Sequence, residues 1–203
     1  MKLFFSPASP YVRKVMAVAH EAGLSGRLDK VTAHVSPVKR DEAVSAENPL
    51  GKVPTLVTDD GQTLFDSRVI CEYLDTQHSG AKLFPANGPD RWRALRRQAL
   101  ADGMLDAAIL TLYEANLREE SQRNQAWVDG QFAKIDAALA MLEREAGELG
   151  ESADIGTLSI GCTLGYLDFR FAGRDWRGPA PKLAAWYEAF AKRPSLQETA
   201  PKA

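Results

Sequence analysis

The sequence predicts an α+β protein in two parts, on three observations. Short apolar runs alternate with helix-period segments over residues 1–77. The stretch 78–87, HSGAKLFPAN, breaks that pattern with Gly80 and Pro85 and reads as a linker. From Pro89 onward helix-period segments follow one another with no convincing strand. The domains are therefore expected at 1–77, mixed, and 88–203, all-helical.

In the first part KLFF reads as a strand. Val12, Val15, Met16 and Ala19 recur at i, i+3, i+4 and i+7, which predicts an amphipathic helix over Pro10 to Ala22 with Gly23 as its stop. Leu28 to Val35, LDKVTAHV, reads as a second strand, and 38–46 carries only a weak helix signal. Thr55–Val57 and Thr63–Phe65 flank TDDGQ, where Asp60-Gly61 predicts a hairpin closed by a tight primed turn. Val69, Ile70, Tyr73 and Leu74 mark the face of a further helix. In the second part helices are expected near 89–117, 122–147, 157–171 and 180–193, punctuated by GESADIG at Gly150 to Gly156.

Composition excludes several classes of function. The chain of 203 residues is 45% hydrophobic and 26% charged, enough apolar material for a buried core. Its formal net charge of -2 gives no global attraction to nucleic acid or anionic membranes. No apolar run approaches the roughly 18 residues of a membrane span. MKLFFSPASP is too short in its apolar part for a signal peptide. Cys71 and Cys162 stand far apart without CxxC spacing and read as reduced thiols of a cytoplasmic protein. His20, His34 and His78 have no ligand-spaced partner, so no metal site is expected.

Three stretches carry candidate chemistry. In SPASPYVRK, Pro10 suits the first helical position, which makes Ser9 the expected N-cap. Capping alone would explain Ser9. The same geometry also stabilises an anion, and a thiolate at a helix start has a lowered pKa. In NPLGKVPTL, Pro49 and Gly51 build a turn and Pro54 leads a strand. Pro54 is either an ordinary loop proline or a cis residue that turns the backbone of Val53 toward a peptide-like ligand. In LFDSRVICEYL, Asp66 and Ser67 open a helix. They are good caps, and they also suit the carboxylate and ammonium of an α-amino acid. Together the three describe a groove for a small acidic peptide, with a thiol or its equivalent at Ser9.

With these motifs in this order and spacing, the whole chain resembles the cytosolic glutathione S-transferase family. LSIGCTLGYLDFR, Leu158 to Arg170, is similar to the family's late core helix, and GYLDFR with the ending ETAPKA resembles a bacterial subgroup. The resemblance implies a thioredoxin-like N-terminal domain, a helical C-terminal domain, a homodimer, and glutathione as co-substrate without a metal. It implies that Ser9 activates the thiol, Lys52 and Val53 hold the middle of glutathione, Pro54 is cis, and Asp66 and Ser67 hold the γ-glutamyl end. Serine stands at the activating position where other subgroups carry cysteine. An acid on the first long helix reaches across the family dimer, which points to Asp102 ahead of Asp106.

The family's late helix opens with Ser or Thr followed three residues later by Asp. Here Ser159 is followed by Cys162, so Ser159 is expected to cap alone, without the reciprocal bond. Lys39 and Arg40 match no motif tightly enough to be assigned. RWRALRRQ, Arg91 to Gln98, reads as a solvated face or dimer rim and not as a nucleic-acid site. Tyr113, Trp127 and Tyr166 either pack in the core or line a pocket for the second substrate. The function expected is a transferase whose glutathione thiolate attacks small electrophiles. The alternatives are glutathione-dependent thiol–disulfide or peroxide chemistry, which usually needs a cysteine at the helix start, and a non-catalytic glutathione-binding stress adaptor.

Overall fold

The computed structural model describes residues 1–201; the last two residues of the ETAPKA ending lie outside the described residues. The chain divides into two compact units, Met1–Arg91 with the chain from Arg193 onward, and Trp92–Lys192.

The first unit holds β1 (Lys2–Phe5), α1 (Pro10–Glu21), β2 (Asp29–Thr32), α2 (Glu42–Glu47), β3 (Thr55–Val57), β4 (Thr63–Leu64) and α3 (Ser67–Thr76). The sheet order is β2-β1-β3-β4. β1 pairs parallel with β2, Lys2 opposite Asp29, and antiparallel with β3, Phe4 opposite Thr55. β4 returns antiparallel to β3. This mixed sheet with its helices is the thioredoxin-like half of the predicted fold. The periodic face of α1 explains its placement: Val12, Val15 and Ala19 are all but fully buried. Val12 joins Phe4, Ala33, Val44 and Val53 in one apolar cluster. Burying a valine of this kind stabilises by about 1.5–3 kcal/mol.

The turn between β3 and β4 differs from the tight primed turn expected. The Gly61 N–H donates to the Thr58 carbonyl (3.1 Å) and the Thr58 N–H to the Gln62 carbonyl (2.9 Å), which makes a longer loop. A two-residue primed turn needs positive φ at Asp60 as well as Gly61. Only Gly61 has it, at φ 85°, and among the described residues no non-glycine residue does. Helix α2 is also shorter and later than 38–46. It starts where Asp41 can cap it, accepting the Val44 N–H at 3.1 Å.

The stretch after α3 is fastened. Buried Asp75 accepts the N–H groups of Leu83 (2.8 Å) and Phe84 (3.2 Å). His78 Nδ1 accepts the Gly80 N–H, so its Nε2 carries the proton toward Asp75 at 3.1 Å. A short helix near the C-terminus, α8 (Pro194–Glu198), lies against α1. Arg13 donates to the Leu196 carbonyl at 3.1 Å, and Arg193 forks onto both oxygens of Glu21 at 3.0 and 2.9 Å. Burial pushes the Glu21 carboxyl up, but hydrogen bonds from Arg193 and Ser195 outweigh it and hold the carboxyl below its ordinary range.

The second unit is helical: α4 (Gly88–Leu117, from Trp92 on), α5 (Gln125–Glu145), α6 (Ile155–Arg170) and α7 (Pro181–Phe190). Ser159 does not cap the late helix. α6 begins earlier, at Asp154, whose carboxylate accepts the Thr157 N–H while the Thr157 hydroxyl accepts the Asp154 N–H, each at 2.8 Å. The reciprocal capping bond is present with its acid and hydroxyl exchanged. Ser159 sits inside the helix and donates to the Ile155 carbonyl at 2.6 Å. Among the described residues, no helix is long and apolar enough to cross a membrane.

Candidate functional site

Sheet topology alone brings the three motifs of the first unit together. Ser9 follows the C-terminal end of β1. β3 runs antiparallel to β1, so Pro54, which precedes it, lies at that same end. β4 reverses again, so Asp66 and Ser67, which follow it, return there too. Both α1 and α3 therefore begin at one end of the sheet. Val12 of α1 and Val53 share the apolar cluster beneath.

Ser9 has extended backbone (φ -81°, ψ 122°), and its Oγ accepts the Val12 N–H at 3.3 Å. Pro10 has no N–H, and the Arg13 N–H is taken by the Ser9 carbonyl at 3.0 Å. The donors of this first turn are thus partly spent, while the Ser9 hydroxyl keeps its own proton for an outside acceptor.

The Val53–Pro54 bond is cis, as expected at this strand entry; the Phe65–Asp66 bond is also cis. Among the described residues nothing bonds the Val53 N–H or carbonyl. Lys52 is exposed, and its carbonyl is occupied by the Asn48 amide (3.2 Å) and the Thr55 hydroxyl (2.8 Å).

At the start of α3, Asp66 Oδ1 accepts the Arg68 N–H at 2.9 Å, and its other oxygen has no partner among the described residues. Ser67 is 2% exposed, yet among the described residues its hydroxyl and its N–H have none either. These residues fit an amino-acid head group: a carboxylate on the Ser67 donors and an ammonium on Asp66. Asp102 is not brought to this groove within the first unit. It belongs to α4 of the helical unit, where it is 1% exposed.

Sequence reasoning missed Asn48. It is 1% exposed, and its amide binds the Lys52 carbonyl and the Thr55 hydroxyl while its Oδ1 accepts the Leu50 N–H at 3.0 Å. The signal was available. Asn-Pro-Leu-Gly is a turn pattern with Pro second and Gly fourth, and the Gly51 N–H closes it onto the Asn48 carbonyl at 2.8 Å. Arg40 is committed to the same loop through the Pro49 carbonyl (2.8 Å) and the Ser45 hydroxyl (3.2 Å). Among the described residues, no cluster of three or more His, Cys, Asp or Glu side chains is placed to hold a metal ion.

Residues 8–77 match the glutathione S-transferase N-terminal domain, and residues 125–189 the glutathione S-transferase C-terminal domain. The chain is 33% identical to YibF of Escherichia coli K12, an uncharacterized GST-like protein, over 99% of this chain and 98% of that one. A glutathione transferase family member of Pseudomonas fluorescens Pf-5, solved with bound glutathione, is 49% identical with a TM-score of 0.97, covering 100% of this chain and 99% of that one. A glutathione transferase family member of the same strain, solved with bound S-(propanoic acid)-glutathione, is 48% identical with a TM-score of 0.93, covering 100% of both chains. A glutathione S-transferase of Methylobacillus flagellatus with glutathione bound is 37% identical with a TM-score of 0.88, covering 99% of both. The chain belongs to the glutathione S-transferase family.

Proposed function

We propose that the protein binds glutathione at the sheet end where α1 and α3 begin and activates its thiol for attack on small electrophiles. The observation that carries this reading is the set of uncommitted groups gathered there: the Ser9 proton, the Val53 backbone, one Asp66 oxygen and the Ser67 hydroxyl. Their order matches glutathione, with a thiol, a peptide middle and an α-amino-acid end. Relatives that hold glutathione support it.

In this reading Ser9 donates to the thiolate sulfur and makes the chain a member of a serine-type bacterial subgroup. The positive end of α1 adds electrostatic stabilisation. A free thiol has a pKa near ~8.5, and each unit of lowering is worth about 1.4 kcal/mol. The thiolate then needs only a modest shift to dominate at neutral pH. Val53 pairs with the peptide middle, beside Lys52 and Pro54. Ser67 donates to the γ-glutamyl carboxylate and Asp66 accepts from its ammonium.

Both cysteines are buried and neither stands at a helix start, which favours transfer to electrophiles over disulfide chemistry. Calorimetric titration with glutathione, followed by a panel of electrophiles and peroxides, tests the reading. Absence of glutathione binding overturns it. Binding without turnover of any electrophile leaves a binding protein in its place.

We further propose a cytoplasmic homodimer that detoxifies electrophiles. Leu50 and Val69 of the first unit are exposed apolar residues available to an association. Sedimentation at micromolar concentration is expected to give twice the 22.2 kDa chain mass, and a single-chain mass contradicts it.

A further inference from the structure

One asparagine of the chain is followed by glycine: Asn87-Gly88, where α4 begins. Asn87 is exposed, and among the described residues its carboxamide has no hydrogen-bond partner. Gly88 is exposed as well. Its N–H falls in the first turn of α4, where the helix itself supplies no acceptor, and among the described residues nothing else accepts it. Gly88 stands at φ 72°, which suits a residue without a Cβ, and apart from its chain neighbours nothing lies within 4 Å of the place a Cβ would take. A free carboxamide and a free backbone nitrogen therefore adjoin each other in water, with no side chain on the glycine to crowd them.

The chain around the pair is held. Leu83 and Phe84 are buried just before it. Arg91 donates to the Pro85 carbonyl at 3.2 Å and pairs with Glu72 of α3 at 2.7 Å. The bond between Arg91 and Pro85 spans Asn87 and Gly88 without engaging either.

The other asparagines lack this arrangement. Asn48 is buried, its amide is bonded to Lys52 and Thr55, and Pro49 after it has no N–H. Asn116 is followed by Leu117 inside α4, where the N–H serves the helix ladder. Asn124 accepts the Trp127 N–H at 3.1 Å through its Oδ1 and precedes Gln125.

We infer that Asn87 and Gly88 form a self-modification site, at which the chain deamidates with water as its only co-reactant. The Gly88 nitrogen bonds to the side-chain carbonyl carbon of Asn87 and closes a succinimide ring. The bond from that carbon to Nδ2 breaks, and ammonia leaves with the proton that Gly88 gives up. Water then opens the ring at either carbonyl, its hydroxyl going to the carbon and its proton to the nitrogen. Opening at the side-chain carbonyl gives aspartate on the original backbone. Opening at the backbone carbonyl gives isoaspartate, in which the chain runs through the side-chain carbon. Nothing is oxidised or reduced. Either product adds a negative charge ahead of Asp90 at the start of α4. Aspartate caps a helix as well as asparagine does, so it leaves α4 in place. Isoaspartate lengthens the backbone by a methylene inside the stretch that the bond between Arg91 and Pro85 spans. The inference does not depend on the glutathione reading.

The test incubates the full folded chain at neutral and at mildly alkaline pH and follows its tryptic peptides by mass. Cleavage after Lys82 and Arg91 isolates Leu83–Arg91, in which Asn87 is the only carboxamide. This peptide is expected to lose its amide before any other asparagine peptide, at a rate of the same order as in the urea-unfolded chain. The loss is expected to quicken at the alkaline pH, because the Gly88 nitrogen attacks in its deprotonated form. Both aspartate and isoaspartate peptides are expected, separable by chromatography. Hydroxylamine, which attacks the ring, is expected to cut the chain between Asn87 and Gly88. Asn87→Gln is expected to abolish both the early loss and the cut. A folded chain that keeps the Asn87 amide while the unfolded chain loses it overturns the inference. So does earlier conversion at Asn48, Asn116 or Asn124, or a product that is aspartate alone, since direct hydrolysis without the ring gives no isoaspartate.

Discussion

Ser9 Oγ accepts the Val12 N–H at 3.3 Å, and Val12 packs in the apolar cluster beneath. The cap bond uses a lone pair on Ser9 and fixes the side chain, so the hydroxyl proton is the part of Ser9 left for chemistry. A residue that only terminated α1 would need nothing more. The same sheet end also gathers a Ser67 hydroxyl and a Val53 backbone without partners among the described residues. Unspent donors at one place are what distinguish a binding groove from a set of well-made caps.

Asp66→Ala is expected to weaken glutathione binding by about 1.5–3 kcal/mol, the range for a charge-assisted hydrogen bond. Calorimetry measures it directly. Affinity equal to that of the wild type removes Asp66 from the site. A parallel fall in thermal stability would be expected from the lost cap to the Arg68 N–H, at about 1 kcal/mol.

Asn48→Ala is expected to act on fold and site together. It strands the Leu50 N–H and removes the amide that ties the Lys52 carbonyl to the strand entry. Urea denaturation should show a loss of roughly 1–3 kcal/mol. Glutathione affinity should fall as well, because Val53 is held between these anchors. Full stability with full affinity would show that the loop is organised without Asn48.

Glu21→Gln tests the clamp between α1 and α8 through its pH dependence. The carboxyl is held below its ordinary value of 4.5 in the fold. On acidification the unfolded chain therefore takes up the proton first. The stabilisation is complete above about pH 4.5 and is lost as pH falls through the lowered pKa. The wild type should exceed the variant by up to about 1 kcal/mol near neutrality, given solvent screening, and the gap should close as pH falls below 4.5. A gap constant across that range would exclude the Glu21 charge as its source.

Much of this was legible in the sequence because local signals and tertiary demands agree. The i, i+3, i+4, i+7 face of α1 is the buried face, and Pro10 and Ser9 mark its start. Asp66 caps α3 as its position suggested. The departures have physical reasons. Asp60-Gly61 predicts a primed turn, but Thr58 and Gln62 bond each other and close a longer loop that needs positive φ only at Gly61. Asp154 and Thr157 exchange the usual order of acid and hydroxyl in a capping box, which drew attention to Ser159 instead. The return of Arg193 and Leu196 to α1 depends on contacts more than 170 residues apart in the chain, and no periodicity announces those.

The most direct test of thiol activation is the ultraviolet absorbance of bound glutathione thiolate, titrated against pH in the wild type and in Ser9→Ala. Loss of the Ser9 donor is expected to raise the pKa of the bound thiol by about one unit, equivalent to about 1.4 kcal/mol. Affinity should remain nearly unchanged, because most contacts lie at Val53, Asp66 and Ser67. Superimposable titration curves would contradict this, and would reduce Ser9 to the helix cap that its bond to Val12 already makes it.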